Sequence, residues 1–177
     1  GFIPAGDHDT HDTDTERGPL AAWTERRTVL IGLFVLCTTF AEGTGNDWLG
    51  VATIDGYGAS DSVGSVAYVV FVASMTVGRW FGPRVLDRVG RVRVMRGGSA
   101  CSFVGVLVVV FGPNLGTAFV GMVLWGLGAA LGFPTGMSAA ADDPQHAAGR
   151  VSAVATIGYI AFLAGPSRGK SAKAVAR

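Results

Sequence analysis

The sequence has little charge. Only 15% of its 177 residues are Asp, Glu, Lys or Arg, whereas an ordinary soluble domain carries about 25%. The charges that are present lie in clusters, and the formal net charge is only +1. With so small a net charge, the protein has no strong overall electrostatic field that would favour binding of nucleic acid or of an acidic partner. The clustering argues against a single soluble domain and directs attention to the apolar segments between the clusters.

Cysteine and histidine are also scarce. Cys37 and Cys101 each lie inside an apolar run, where a free thiol behaves as a small hydrophobe. His8 and His11 lie in an acidic leading segment that is more typical of a solvated tail than of a metal site. No Cys/His spacing resembles a zinc site. We therefore expect neither a metal nor a cofactor.

Signatures of an enzyme are missing. The segment "GPSRGKS" resembles a phosphate-binding loop, but only three residues separate Gly165 from Gly169, where four are needed. The segment also follows no strand-and-helix context. We expect a protein that is not an enzyme.

The two ends of the chain differ from its middle. The chain begins with Gly rather than Met, so we expect residue 1 to be an interior point of a longer product. Both lysines, Lys170 and Lys173, lie in the final residues 167–177. This atypical tail indicates a frameshift or a premature end, with a natural short tail as the alternative.

Five apolar stretches follow a polar linker of residues 1–27. They cover approximately residues 28–48, 63–82, 96–113, 115–141 and 151–166. A helix needs about 20 residues to cross a bilayer core. A buried strand could account for "VGVLVVVFG" alone, but residues 115–141 contain no ionisable residue and offer no polar face. The pattern predicts an all-α polytopic membrane protein with about five transmembrane helices.

Arginines occur in alternate loops. Six of them crowd into "GRWFGPRVLDRVGRVRVMRGG", between two uncharged segments. Others lie in the leading segment and at Arg150, whereas the connection 47–62 carries only aspartates. Cytoplasmic loops are enriched in Lys and Arg. We therefore expect a multi-pass protein of the inner (plasma) membrane, with the N-terminus and the arginine cluster on the cytoplasmic side.

The cluster contains a recognisable motif. "GPRVLDRVGRVR", residues 82–93, resembles the signature loop of the major facilitator superfamily, which joins the second and third helices of each six-helix half. Four residues separate Gly82 from Asp87 where the family usually has three. "AEGTGNDW", "GLGAALGFPTGMSAAADDP" and "RVSAVATIGYIAFLAGP" also look like the second half of bacterial members. The resemblance implies that residues 28–166 correspond to helices seven to eleven of a twelve-helix transporter.

The resemblance also implies a role for the loop between the second and third apolar stretches. Its members would form a cytoplasmic gating loop that latches one state and releases the other: Asp87, Arg88, Gly90, Arg91 and Arg93. Glycine at position 90 would permit the tight turn between the two helices. The partner of Asp87 would belong to a first half that this chain lacks. The alternative is a loop that only sets topology.

Three polar residues interrupt the first stretch. Glu42 lies about 21 Å past Thr28 by helical rise, and an acid at that depth usually faces a cavity or a partner. Asn46 shares its helical face and Asp47 follows. We regard all three as candidates for handling protons or substrate.

Two local structures are compatible with these residues. Gly43 and Gly45 could unwind the helix, as happens near substrate sites in transporters. Alternatively, the helix ends early, Glu42 is wetted at the outer interface and Trp48 anchors the chain there. The sequence favours neither.

The fourth stretch carries glycines at a spacing of four, namely Gly128, Gly132 and Gly136. Such a row lets another helix approach closely. Pro134 should kink this helix, because it lacks an amide donor. Packing is the expected role of these residues, and lining a substrate path is the alternative.

The expected function follows from the resemblance. An intact relative would move a small solute by alternating access, coupled to protons, while this chain would be inactive unless a first half or another copy completes it. The rival interpretation is a non-transporting assembly or regulatory partner that docks through its glycine-rich helix. Membrane lipid is an expected partner at the arginines. Nucleic acid is not, because the cluster lies beside the membrane and has few neighbouring aromatics.

Overall fold

The computed structural model describes residues 21–164, and every regular element in that range is a helix. In chain order these are α1 (Ala21–Thr24), α2 (Arg26–Tyr57), α3 (Asp61–Val89), α4 (Arg91–Phe111), α5 (Leu115–Ala129), α6 (Gly132–Ala140) and α7 (Ala147–Ala164). Most of the predicted polar linker, the "GPSRGKS" segment and the tail of residues 167–177 lie outside the described residues.

The helices have the length and composition of membrane spans. Among the described residues, α2, α3, α4 and the α5–α6 segment Leu115–Ala140 are each long and apolar enough to cross a membrane. A shorter apolar helix covers Ala147–Ala161. The predicted fold class, an all-α polytopic membrane protein, is confirmed.

Helix α2 runs without a break through the polar residues of the first stretch. The expectation that the chain unwinds at Gly43 and Gly45 is wrong, and so is the alternative that the helix ends near Glu42. Gly45 serves close packing instead, because a Cβ there would lie 2.5 Å from the ring of Phe71 on α3. The connection to α3 is consequently short and covers only residues 58–60.

Helix α2 lies at the centre of the bundle, where it contacts α3, α5, α6 and α7. The most extensive interface in the described range joins α4 to α5, whereas α4 meets its sequence neighbour α3 only slightly. Phe71 of α3 and Trp125 of α5 meet edge to face, with ring centroids 5.4 Å apart, inside one core cluster. A second cluster, around Val35 and Val154, joins α2 to α7.

The fourth stretch is interrupted between α5 and α6, at Ala130 and Leu131. Pro134 is the third residue of α6. Because proline has no N–H, it cannot donate to the carbonyl of Ala130, four residues earlier. The interruption therefore lies where the missing hydrogen bond would have been.

The interruption divides the glycine row between two partners. Gly128 lies against the backbone of α4, whereas Gly132 and Gly136 lie against α2. A Cβ at position 132 would lie 2.6 Å from Cβ of Thr38, and one at position 136 would meet Val35. Helices of this chain already occupy these faces, so the row is not a free surface for the docking partner of the rival interpretation.

A single residue joins α3 to α4. Gly90 has φ 87° and ψ 150°, a backbone region that is essentially restricted to glycine. The two helices can therefore reverse direction without a loop. We call this end of the bundle, where the Gly90 turn meets the start of α2 and the α6–α7 connection, the basic end.

Candidate functional site

An ion pair joins the middle of α2 to α3. Nη2 of Arg79 lies 2.7 Å from Oε1 of Glu42. The Glu42 side chain is 12% exposed and that of Arg79 is 45% exposed. Glu42 lies about 24 Å along α2 from Arg26 by helical rise. A charged residue at such a depth is expensive unless it is paired, and Arg79 supplies the charge that offsets it.

Arg79 also reaches the interruption in the fourth stretch. Its Nε donates to the carbonyl oxygen of Ala130 over 3.2 Å, the carbonyl that Pro134 leaves without a helical donor. A single guanidinium therefore connects α2, α3 and the α5–α6 junction. We call Glu42, Arg79 and the Ala130 carbonyl the intramembrane cluster.

Glycines on α3 permit this approach. A Cβ at Gly78 would lie 2.6 Å from Cβ of Ala130, and Gly82 is buried under Leu131. Gly82, whose spacing departs from the family motif, therefore has a packing role next to the intramembrane cluster. Small residues of this kind let helix backbones come together inside a membrane.

The other polar residues predicted on α2 lie beside this cluster. Asn46 and Asp47 are both half-buried on α2, one turn beyond Glu42. The side chain of Asn46 forms no hydrogen bond within residues 21–164. Of the three candidates, the structure places Glu42 in the ion pair with Arg79.

Acidic residues at the basic end hold the helix starts together. Arg150 of α7 binds Glu25 through two nitrogens, each 2.7 Å from a carboxylate oxygen, and reaches Asp143 over 3.2 Å. Thr28 donates to Glu25 over 2.9 Å. This forked geometry pairs the planar guanidinium with a planar carboxylate.

Asp142 forms a second link in the same region. It accepts hydrogen bonds from Arg91 at 2.8 Å and from Arg27 at 2.9 Å. Arg91 also donates to Ser138 over 3.2 Å. The connection that follows α6 is thereby tied to the starts of α2 and α4. We call Asp142 and its two arginines the Asp142 triad.

These contacts stabilise the charged forms of the acids. Hydrogen bonds from Arg91 hold the pKa of Asp142 below its ordinary value, and those from Arg150 do the same to the pKa of Glu25. The pKa of Asp143 is lowered mainly by its hydrogen bond with His146. Glu25, Asp142 and Asp143 are therefore ionised at neutral pH.

The residues of the predicted gating loop separate into two groups. Gly90 forms the turn and Arg91 belongs to the Asp142 triad. Asp87, Arg88 and Arg93 are exposed and form no ion pair within the described part of the chain. Part of the loop is thus committed to internal contacts, and part presents free charges.

Sequence reasoning missed several of these residues. Arg79 was counted only as one of the six arginines of the cluster, and the acids Glu25, Asp142 and Asp143 were not singled out. The available signal was the location of these acids at the ends of apolar stretches that also carry arginines. Their pairing depends on helices that are far apart in sequence, which no local pattern reports.

Comparisons with known proteins identify the family. A model of the major facilitator superfamily matches residues 2–166. The chain is 33% identical over 163 residues to an uncharacterized MFS-type transporter of Yersinia pestis, a match that covers 92% of this chain and 41% of the relative. It is 32% identical over 140 residues to the membrane protein MosC of Rhizobium meliloti, a match that covers 78% of this chain and 34% of that relative. No solved structure matches the chain.

Proposed function

Because the chain belongs to the major facilitator superfamily, we propose that it forms the second half of a secondary transporter. The transporter moves a small solute across the plasma membrane by alternating access, coupled to protons. The chain spans only 41% of the Yersinia pestis relative and 34% of the Rhizobium meliloti relative. The order of the helices and the motif at the α3–α4 turn support the assignment to the second half.

The observation that carries the proposal is the ion pair between Glu42 and Arg79. Buried carboxylates that exchange protons mark the ion pathways of membrane proteins. When Glu42 is ionised, Arg79 holds α2, α3 and the α5–α6 junction together. When Glu42 is protonated, the link between α2 and α3 weakens while the bond to Ala130 remains. A proton thereby changes how three helices are joined.

The orientation follows from the arginines. The basic end lies on the cytoplasmic side, as the enrichment of Arg in cytoplasmic loops favours. The N-terminus is then cytoplasmic, and the connections at residues 58–60 and 112–114 lie outside. Asp87 and Arg88 face the cytoplasm at the turn, where a first half supplies their partners.

The site is incomplete without that first half. A solute pathway between two halves needs a wall from each, and this chain provides one. The chain alone therefore does not transport. Uptake of any solute by the purified chain in liposomes would contradict this expectation.

A hybrid transporter tests the proposal directly. Residues 22–164 replace the matching segment of the Yersinia pestis relative, and the hybrid is reconstituted with an imposed pH gradient. We expect gradient-driven accumulation of at least one solute from a panel of labelled sugars, amino acids, carboxylates and organic cations. Glu42→Gln should lower the accumulation at least tenfold. Asp61→Asn, at an exposed acid of α3, is the matched control.

Two outcomes would contradict the proposal. A folded hybrid that accumulates no solute would speak against transport by this half. Accumulation that is equal for the parent hybrid and Glu42→Gln would speak against the proton role of the intramembrane cluster, while leaving transport in place.

A further inference from the structure

A groove separates α3 from α4 near the basic end. Its volume is about 460 Å³, and its floor is formed by Leu127 and Gly128 of α5 and by Leu131. The α3 wall runs from Val77 to Val89. The lining is almost entirely apolar, with Arg93 at the end next to the Gly90 turn.

The depth of the groove matches one leaflet of a bilayer. Val77 and Val89 are twelve residues apart on α3, which corresponds to about 18 Å of helical rise. The hydrocarbon core of a bilayer is about 30 Å thick, so that one leaflet contributes about 15 Å. The groove thus begins at the basic end and runs to about the middle of the membrane.

The mouth of the groove carries excess positive charge. Within residues 21–164, four arginines near the turn form no ion pair: Arg84, Arg88, Arg93 and Arg96. The one acid beside them is Asp87. Three other arginines of the basic end are neutralised by acids: Arg27, Arg91 and Arg150. The free positive charge is therefore concentrated where the groove opens.

These features select one kind of occupant. A peptide in the groove would leave backbone N–H and C=O groups without partners, because the walls offer almost no polar atoms. A hydrocarbon chain has no polar groups and therefore needs no hydrogen-bond partners. Arg93 and Arg96 lie three residues apart on α4, so they lie on neighbouring positions of one helix face. Guanidinium groups bind phosphate through paired donors.

We propose that the groove is a binding site for an anionic phospholipid of the adjacent leaflet. One acyl chain lies along α3 between Val77 and Val89. The headgroup phosphate is bound by Arg93 and Arg96. The lipid fills the space that α3 and α4, which touch only slightly, leave between them.

Gly97 provides a test that separates the acyl chain from the headgroup. A Cβ at Gly97 would meet no atom within 4 Å, and this residue lines the groove. Gly97→Leu therefore adds side-chain volume to the lining of the groove at a position where the Cβ meets no other atom. Gly56 in α2 is equally open, so Gly56→Leu is the matched control. Arg93→Gln combined with Arg96→Gln removes the phosphate donors, and Arg26→Gln removes an exposed arginine elsewhere at the same end.

The measurement is lipid retention by the 177-residue chain, followed by native mass spectrometry. The chain is released from micelles that contain equal amounts of dioleoyl phosphatidylglycerol and dioleoyl phosphatidylcholine. We expect at least tenfold more bound phosphatidylglycerol than phosphatidylcholine. The double arginine variant should lose this preference, Gly97→Leu should lose both lipids, and the two controls should match the parent chain.

Three outcomes would overturn the proposal. In the first, Gly97→Leu retains as much phosphatidylglycerol as Gly56→Leu, which would make the arginines a headgroup surface only. In the second, millimolar inorganic phosphate displaces the lipid, which would indicate a free-anion site. In the third, Gly97→Leu lowers the fraction of dimer but leaves the amount of bound lipid unchanged, which would indicate that a second copy of the chain occupies the groove. Gly97→Ala and Gly97→Met form a graded series, and helicity by circular dichroism identifies any variant that fails to fold.

Discussion

Arg79 supplies a hydrogen bond that Ala130 would otherwise lack. Its Nε lies 3.2 Å from the Ala130 carbonyl oxygen, and Pro134, four residues further on, has no N–H to donate there. Proline in a membrane helix is tolerated when a neighbouring group satisfies the freed carbonyl. Here that group is a charged side chain, which is itself held by Glu42.

Removing the arginine should be costly. We expect Arg79→Leu to lower the free energy of unfolding by about 3 kcal/mol, at the lower end of the range for loss of one partner of a buried ion pair, because Arg79 is itself 45% exposed. The variant leaves Glu42 unpaired. Denaturant titration of the detergent-solubilised chain measures the loss, and Arg84→Leu, at an exposed unpaired arginine of α3, is the control.

The double variant Glu42→Leu with Arg79→Leu should recover part of that loss, because no charge then remains without a partner. If the double variant is as unstable as the sum of the two single variants, the two side chains do not interact energetically.

The Gly90 turn should be sensitive to any side chain. We expect Gly90→Ala to destabilise the chain by about 1 to 3 kcal/mol, because φ 87° with ψ 150° is a conformation that residues with a Cβ avoid. Gly97→Ala is the matched control: it lies inside α4 in open space, where alanine is favoured over glycine by about 0.5 to 1 kcal/mol. Thermal unfolding of both variants measures the difference. Equal midpoints would contradict the structure of the turn.

The divided glycine row should give unequal effects. We expect Gly128→Ala to destabilise the chain by about 1 to 3 kcal/mol, because its Cβ would collide with the backbone of α4. Gly136→Ala should cost less, because its Cβ meets a side chain, that of Val35, rather than backbone. Gly56→Ala, in open space, is the control. The unfolding free energies should therefore rank Gly128→Ala as the least stable of the three variants.

The Asp142 triad should make stability depend on pH in the acid range. The pKa of Asp142 is lowered in the folded chain from a model-peptide value of 3.8. The triad therefore contributes fully above that value, and the contribution is lost as the pH falls through the lower folded pKa. We expect Asp142→Asn to flatten the pH dependence of unfolding below pH 4. A slope that Asp142→Asn does not alter would contradict the assignment.

The sequence predicted the helices better than their ends. Apolar runs identify a membrane protein because a span of that length has few alternatives. The first stretch was bounded at about residue 48, and two alternatives were left open, an unwound helix at Gly43 and Gly45 or an early helix end near Glu42. The helix continues to Tyr57 because Arg79 offsets the acid and because Gly45 accommodates Phe71. Arg79 and Phe71 both belong to α3, so the sequence of α2 alone does not reveal either contact.

The candidate site was predictable only in part. Glu42 could be singled out because an acid inside a span is conspicuous. Its partner Arg79 lies 37 positions away. Arg79 is near the end of the second apolar stretch, where an arginine can also extend its side chain to the membrane–water interface. Likewise, the equal spacing of Gly128, Gly132 and Gly136 suggested one helix face. The interruption before Pro134 turns the second half of that row toward a different neighbour.

The pairing of α4 with α5 has a consequence for biosynthesis. Because α4 finds its main packing surface on a helix that is made after it, the α3–α4 hairpin emerges from the ribosome before its close-packed glycine seam can form. During that interval the face of α4 that later meets α5, which includes Gly105 and Val109, is covered only by lipid or by the insertion machinery. The order of synthesis therefore sets the order of assembly: α3 and α4 are made first, and α4 reaches its final packing only when α5 has been made.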